Sequence, residues 1–252
     1  MSEFGRLLKQ WRTRRRMSQM ALALAADVST RHISYLETAK SRPSRDMVFR
    51  LADALTVPAN ARNEWLAAAG FAPMYESRTI SSAELAPFID AVDRLLKRHD
   101  PYPGWLFDPG WQIVRANDVG KQLLRRLGIS VGDNLIAAIA RDPTMGGAIV
   151  NWRETALHLA QWLKGEAHRR NDADTLKIAE NLAASGLEKF QVTPAPAAIN
   201  TELSLDGHRI ELVSIQGAFH TANDLTLANL RMELLFPVDA ESERNLTEAF
   251  PQ

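Results

Sequence analysis

Through the first seventy residues, apolar positions recur three and four apart, the spacing of a helix face. From Gly5 to Arg16 the face carries Leu7, Leu8 and Trp11. A second helix starts after Ser18, a good N-cap, with Met20, Leu22, Ala23, Leu24 and Ala26 as its apolar, mostly small, residues. Small residues let another helix approach closely. At Asp27-Val28-Ser29 the pattern breaks, then restarts with Thr30, Arg31 and His32. Asp tolerates the left-handed conformation that a tight turn needs, and Ser29 caps the third helix. There Ile33 and Leu36 face the core, leaving Thr30, Arg31, Ser34 and Tyr35 on other faces. In "SRDMVFRLADAL", Met47, Leu51, Ala54 and Leu55 keep helical spacing, and "ARNEWLAAAG" supplies a fifth helix.

Two short helices joined by a tight turn, the second led by exposed polar residues, form a helix-turn-helix. Its second helix enters the major groove with its first residues against base edges. Arg31 can pair bidentately with guanine O6 and N7. Gln19 opens the helix that crosses the backbone, and Lys40 and Arg42 lie where phosphate contacts fall. Ser29 and Ser34 complete the expected DNA-facing set. Charge supports this placement. Met1–Gly70 holds twelve Lys and Arg against six Asp and Glu, while the whole chain balances thirty against thirty. A basic head on an acidic body suits a polyanionic partner, double-stranded DNA.

After Gly70 the pattern changes. Residues 71–84 are polar with little periodicity and read as a linker. "LAPFIDAVDRLLKRH" is an amphipathic helix with Leu85, Phe88, Ile89, Val92, Leu95 and Leu96 on one side. Trp105-Leu106-Phe107 reads as a strand, Asp108-Pro109-Gly110 as a turn and Trp111 to Ala116 as the return strand, with Asn117 capping a helix. Strand, turn, strand and helix are also how a PAS-type sensor begins. Two helices follow, one with Trp152, Ala156, Leu159 and Leu163 on one face, and then "TPAPAA" marks a break. "INTELSLDGHRIELVSIQGAF" alternates about an Asp206-Gly207 hairpin signal, and "LRMELLFPVD" is a last strand. The fold class expected is an all-α N-terminal helix-turn-helix domain followed by an α+β PAS-like domain. The boundaries are 1–70, a linker over 71–84, and 85–252.

The head strongly resembles the Xre/Cro, lambda-repressor-like family. The resemblance rests on "LLKQWRTRRRMSQMALA", "VSTRHISYLE", "SRPS" and "LADALTVP". It implies that Gln19, Thr30, Arg31 and Tyr35 occupy DNA-contacting positions. Two glycines usual in that family are Asp27 and Ala39 here. A left-handed alanine costs about 1–2 kcal/mol, so the turn at Ala39 is expected to take a different shape. The body resembles the MmyB-like ligand-binding domain through "DRLLKRHDPYPGWLFDPGWQIVRANDVGKQLL", "DNLIAAIARDPTMGGAIVNW" and "GAFHTANDLTLANLRMELLFPVD". That resemblance implies a cavity for a small apolar, fatty-acid-like ligand. Trp105, Phe107, Trp111, Trp152 and Leu159 are its candidate walls, and Arg115 and Asn117 its candidate polar contacts.

Composition narrows the chemistry. Cysteine is absent, which excludes disulfides and thiolate metal sites. The six histidines lack metal-ligand spacing, and no P-loop, G-x-S-x-G, H-E-x-x-H or dinucleotide fingerprint occurs. No apolar run is long enough to span a bilayer. The expectation is a cytoplasmic transcriptional regulator, not an enzyme, with no catalytic or metal residues and no cofactor beyond a bound fatty acid. It is expected to act as a homodimer on DNA. The rival readings are a DNA-binding repressor whose body serves only for dimerisation or partner binding, and an enzyme with a DNA-binding head.

Overall fold

A computed structural model describes residues 2–170, 173–184, 200–219 and 224–251. The chain divides into two compact units, the first running to Ser77 and the second from Arg78 onward, with Leu225 grouped with the first.

The first unit is built from α1 (Glu3–Arg14), α2 (Gln19–Ala25), α3 (Thr30–Glu37), α4 (Arg45–Ala54) and α5 (Ala59–Ala68). Four of the five helices are started by serine. Ser2, Ser18, Ser29 and Ser44 each accept the backbone N–H three residues on, satisfying a donor that has no partner within the helix. Leu8, Leu22, Ile33, Leu36, Val48, Leu51, Leu55 and Trp65 are fully buried in one core. A Cβ on Gly5 would meet the backbone oxygens of Leu36 and Glu37 at 2.6 and 2.7 Å, so α1 lies directly against the end of α3.

One expectation for this unit, a reshaped turn at Ala39, needs correcting, and the buried side of α2 is narrower than its apolar content implies. Met20 and Leu24 are 70% and 84% exposed, and Leu22, Ala23 and Ala26 alone carry the buried side of α2. A seven-residue helix wedged between α3 and α4 has room for only one narrow buried line. The turn at Ala39 is not reshaped. Ala39 takes φ 61° and Asp27 φ 52°, both left-handed. Ala39 N–H and Lys40 N–H bond back to Leu36 and Tyr35, which offsets part of the cost of the left-handed alanine. Part of the segment read as a linker is strapped to α5. Asn63 accepts the N–H groups of Met74 and Tyr75 and donates to the Tyr75 carbonyl.

The second unit is a five-stranded antiparallel sheet with helices on both faces. It comprises α6 (Ala86–His99), β1 (Gly104–Phe107), β2 (Ile113–Ala116), α7 (Asp118–Arg126), α8 (Leu135–Arg141), α9 (Trp152–Arg170) and α10 (Ala173–Ala184). Then follow β3 (Thr201–Leu205), β4 (His208–Ala218), α11 (Leu225–Asn229), β5 (Arg231–Pro237) and α12 (Ala240–Ala249). The strand order is β2-β1-β5-β4-β3, so the first and last strands of the unit lie side by side in the middle. Asp206 and Gly207 both take positive φ, which closes the β3–β4 hairpin as the Asp-Gly pair predicts. The proposed break at "TPAPAA" lies outside the described residues.

Alternation along β1 splits the unit into two cores. Trp105 and Phe107 point into a large cluster shared with α7 to α10 and α12. Leu106 points the other way, into a smaller cluster under α6 and α11.

Candidate functional site

In the first unit, the caps and core of α3 leave one polar edge outward. Thr30 and Arg31 are exposed, with Lys40 and Arg42 just beyond, while Ser34 and Tyr35 are half-buried beside them. Arg31 Nε donates to the Tyr35 hydroxyl at 2.7 Å, with its guanidinium 5.1 Å from the ring centroid. Lys40 Nζ sits 5.8 Å from the same ring. One aromatic ring thus gathers two cations at the helix edge. With Nε engaged, the two terminal nitrogens of Arg31 remain as a fork suited to guanine O6 and N7. Ser29 is the helix cap, its hydroxyl accepting from His32 N–H.

Gln19 is held from behind. Glu37, 3% exposed, accepts from Arg12 Nε and Nη2 at 2.7 and 3.0 Å and from Gln19 Nε2 at 2.7 Å. Arg12 Nη1 also donates to the Met17 carbonyl. This buried network joins α1, the turn before α2, α2 and α3, and it fixes which end of the Gln19 amide faces inward. Neither Arg12 nor Glu37 stood out in the sequence, because a helix's charged residues look solvated until its neighbours are known.

In the second unit the structure gathers the predicted wall residues. Trp105, Phe107 and Trp111 form a chain of rings at centroid spacings of 6.5 and 5.9 Å, and Trp162 of α9 continues it at 5.3 Å. Trp152 and Leu159 pack half-buried against the same cluster. Trp111 is not in the return strand. It lies in the turn before β2 with φ 67°, and its ring is 5% exposed. Asp108 holds that turn, its Oδ1 accepting from Gly110 and Gln112 N–H. A left-handed tryptophan is unfavourable by about 1–2 kcal/mol, and burial of the indole between the Phe107 and Trp162 rings offsets it.

Charged groups sit on this same inner face. Glu233 accepts from Trp105 Nε1 at 2.8 Å and from the Ser214 hydroxyl at 2.5 Å. Arg231, level with Phe107 across the strands, has its Nη2 3.7 Å from Glu166 Oε1 of α9. Both side chains of that pair are largely shielded, 19% and 12% exposed. The readable signal was two charges two apart, Arg231 and Glu233, in an otherwise apolar strand.

The two predicted polar contacts lie elsewhere. Asn117 caps α7 and is fully committed. Its Oδ1 accepts from Gly104 and Gly120 N–H, and its Nδ2 donates to the Leu96 and Tyr102 carbonyls. All four of its bonding positions are taken, so it has none for a ligand. Arg115 lies across from Leu106, on the α6 side, 3.5 Å from Asp93. That side has a cavity of about 220 Å³ lined by Ala91, Val92, Leu95, Leu106, Gly217, Ala218, Phe219, Leu230 and Met232. It opens between α6 and the free end of β4. Among the described residues no helix is long and apolar enough to cross a membrane.

Two family models match. Residues 89–249 match the MmyB-like transcription regulator ligand binding domain, and residues 3–65 match a helix-turn-helix domain. These are domains of transcription regulators rather than of enzymes. No curated protein matches the chain.

Proposed function

We propose, since the chain belongs to the MmyB-like transcription regulators, that it reads a two-fold DNA site as a homodimer and responds to a fatty-acid-like ligand. The helix-turn-helix and the ligand-binding domain establish a ligand-responsive transcription regulator; the ligand class, the PAS-like sensor role and the dimer are the reading added here.

The observation that carries the ligand reading is the inner face of the sheet. Four aromatic rings, Trp105, Phe107, Trp111 and Trp162, lie beside a shielded cation, Arg231. Apolar rings suit an acyl chain, and Arg231 suits its carboxylate. Arg231 Nη1 donates to the Ala228 and Leu230 carbonyls, and its Nη2, 3.7 Å from Glu166, is held more loosely than in a bidentate ion pair. Each buried methylene contributes about 0.8 kcal/mol, so about twelve offset a substantial association cost. A change in DNA affinity requires the ligand to prefer one arrangement of the chain over another.

The experiment is a DNA titration of delipidated protein with and without saturating fatty acid, alongside native mass spectrometry. Bound acyl chain and shifted DNA affinity support the reading. Unchanged affinity removes the switch, and no acyl binding to the wild type, or equal binding to Arg231→Gln, removes the site.

A further inference from the structure

Three exposed large apolar side chains of the second unit lie around the cavity beneath α6. Phe88 is 45% exposed, Leu95 44% and Ile215 55%, although Leu85, Ile89, Val92 and Leu96 already satisfy the core side of α6. Ile215 lies beyond the point where β3 stops pairing with β4, on the face that carries Gly217 and Met232. Phe88 meets Phe219 edge-on at 6.2 Å.

The stripe has a definite order. Glu84, Phe88, Ala91, Leu95 and Arg98 are spaced four, three, four and three apart, one line along a helix. The turn before α6 already has the helical bond from Ala86 N–H to the Ser82 carbonyl, so Glu84 keeps the helix's phase. All five are exposed. The line therefore reads acid, phenylalanine, alanine, leucine, base. It is self-complementary under a two-fold rotation through Ala91. Glu84 of one copy then faces Arg98 of the other, Phe88 faces Leu95, and the small Ala91 pair lets the helices approach. Because Leu95 lines the cavity, Phe88 of the other copy arrives at its mouth. A parallel pairing would instead oppose Glu84 to Glu84 and Arg98 to Arg98. Among the described residues neither charge has an ion pair within the chain.

We infer that α6 is the seam of a homodimer, two copies packing their α6 helices antiparallel about Ala91 with the Glu84–Arg98 pair at each end. A two-fold contact uses the same patch on both copies, and this patch is built to meet itself. The inference rests on the reading that two copies act together, and it is tested without DNA so that the two can fail separately.

The test is sedimentation equilibrium of the full chain. Wild type is expected to dimerise. Leu95→Glu should raise the dissociation constant about a hundredfold, because the lost burial occurs twice at the seam. Val131→Glu, at an exposed apolar site away from α6, should leave it unchanged. Glu84→Arg and Arg98→Glu should each weaken the dimer at low salt, and the double variant should restore it. The substituted residues are exposed, and circular dichroism checks that each variant folds. Persistence of the dimer in Leu95→Glu, or additive loss in the double charge reversal, overturns the seam while leaving dimeric DNA binding intact. A monomeric wild type overturns the seam, a footprint covering a single half-site at saturation overturns dimeric DNA binding, and a small apolar molecule in the cavity of a monomer would identify the occupant instead.

Discussion

Arg12→Met is expected to destabilise the DNA-reading unit more than its partly exposed position suggests. In the native unit the guanidinium makes three hydrogen bonds, two to Glu37 and one to the Met17 carbonyl. Glu37 is almost fully enclosed, its side chain 4% exposed. Removing Arg12 leaves that carboxylate with the Gln19 amide as its remaining partner. Breaking one side of a buried pair costs about 3–5 kcal/mol, because the surviving charge stays desolvated. Replacing both partners by apolar residues is often neutral. The double variant Arg12→Met/Glu37→Met should therefore recover most of the loss, with Gln19, half-buried, turning its amide to water. The suitable assay is hydrogen exchange by mass spectrometry on the full chain, which reads α1 to α3 directly even though a second unit is present. At 1.4 kcal/mol per factor of ten, protection of core amides in these helices should drop about a hundredfold to a few thousandfold in the single variant. It should return to within about tenfold of wild type in the double. Equal protection in wild type and Arg12→Met would show that the pair is screened by water. Additive loss in the double variant would show that the two residues act independently and that the network is not a unit.

Arg31→Ala should cost about 1–3 kcal/mol on the specific site and much less on random duplex; equal losses on both, by fluorescence anisotropy, would reduce Arg31 to a phosphate contact. Gly120→Ala should lower the thermal midpoint of the second unit. Its Cβ would stand 2.7 Å from both Asn117 Oδ1 and the Gly104 carbonyl, two atoms locked by the α7 cap. The overpacking cost of about 1–3 kcal/mol exceeds the helix gain of about 0.5–1, and a raised midpoint would contradict this. His99 is buried between Tyr102 and Phe236, with Nε2 3.0 Å from the Leu235 carbonyl, and burial holds its pKa below the usual value. A depressed folded-state pKa means that its contribution is present above about pH 6.5 and lost as pH falls through the folded value. Thermal melts should show that acid loss in wild type and a shallower slope in His99→Gln, and identical slopes would assign the effect to other groups.

The DNA-reading unit was legible almost to the residue because its signals are local. Serine caps act over three residues and core faces over four, so Ser18, Ser29, Ile33 and Leu36 announce the second and third helices without reference to anything distant. The Asp-Gly hairpin and the Trp105–Phe107 strand are legible for the same reason. Helical spacing says that a residue lies on a face but not whether anything covers that face. Met20 and Leu24 are apolar residues of α2 yet exposed, and Phe88 and Leu95, read on one side of α6 with its core residues, instead form a second, open stripe. Asn117 looked available, although two glycine amides and two distant carbonyls consume it. Arg231 and Glu166 lie on a strand and a helix far apart in the chain, and only the sheet order that places β5 beside β1 brings that cation to the aromatic rings. Local sequence determined where each helix begins and which residues lead α3. Tertiary packing decided which faces are closed and which charges meet, because burial and pairing depend on partners that backbone periodicity does not encode.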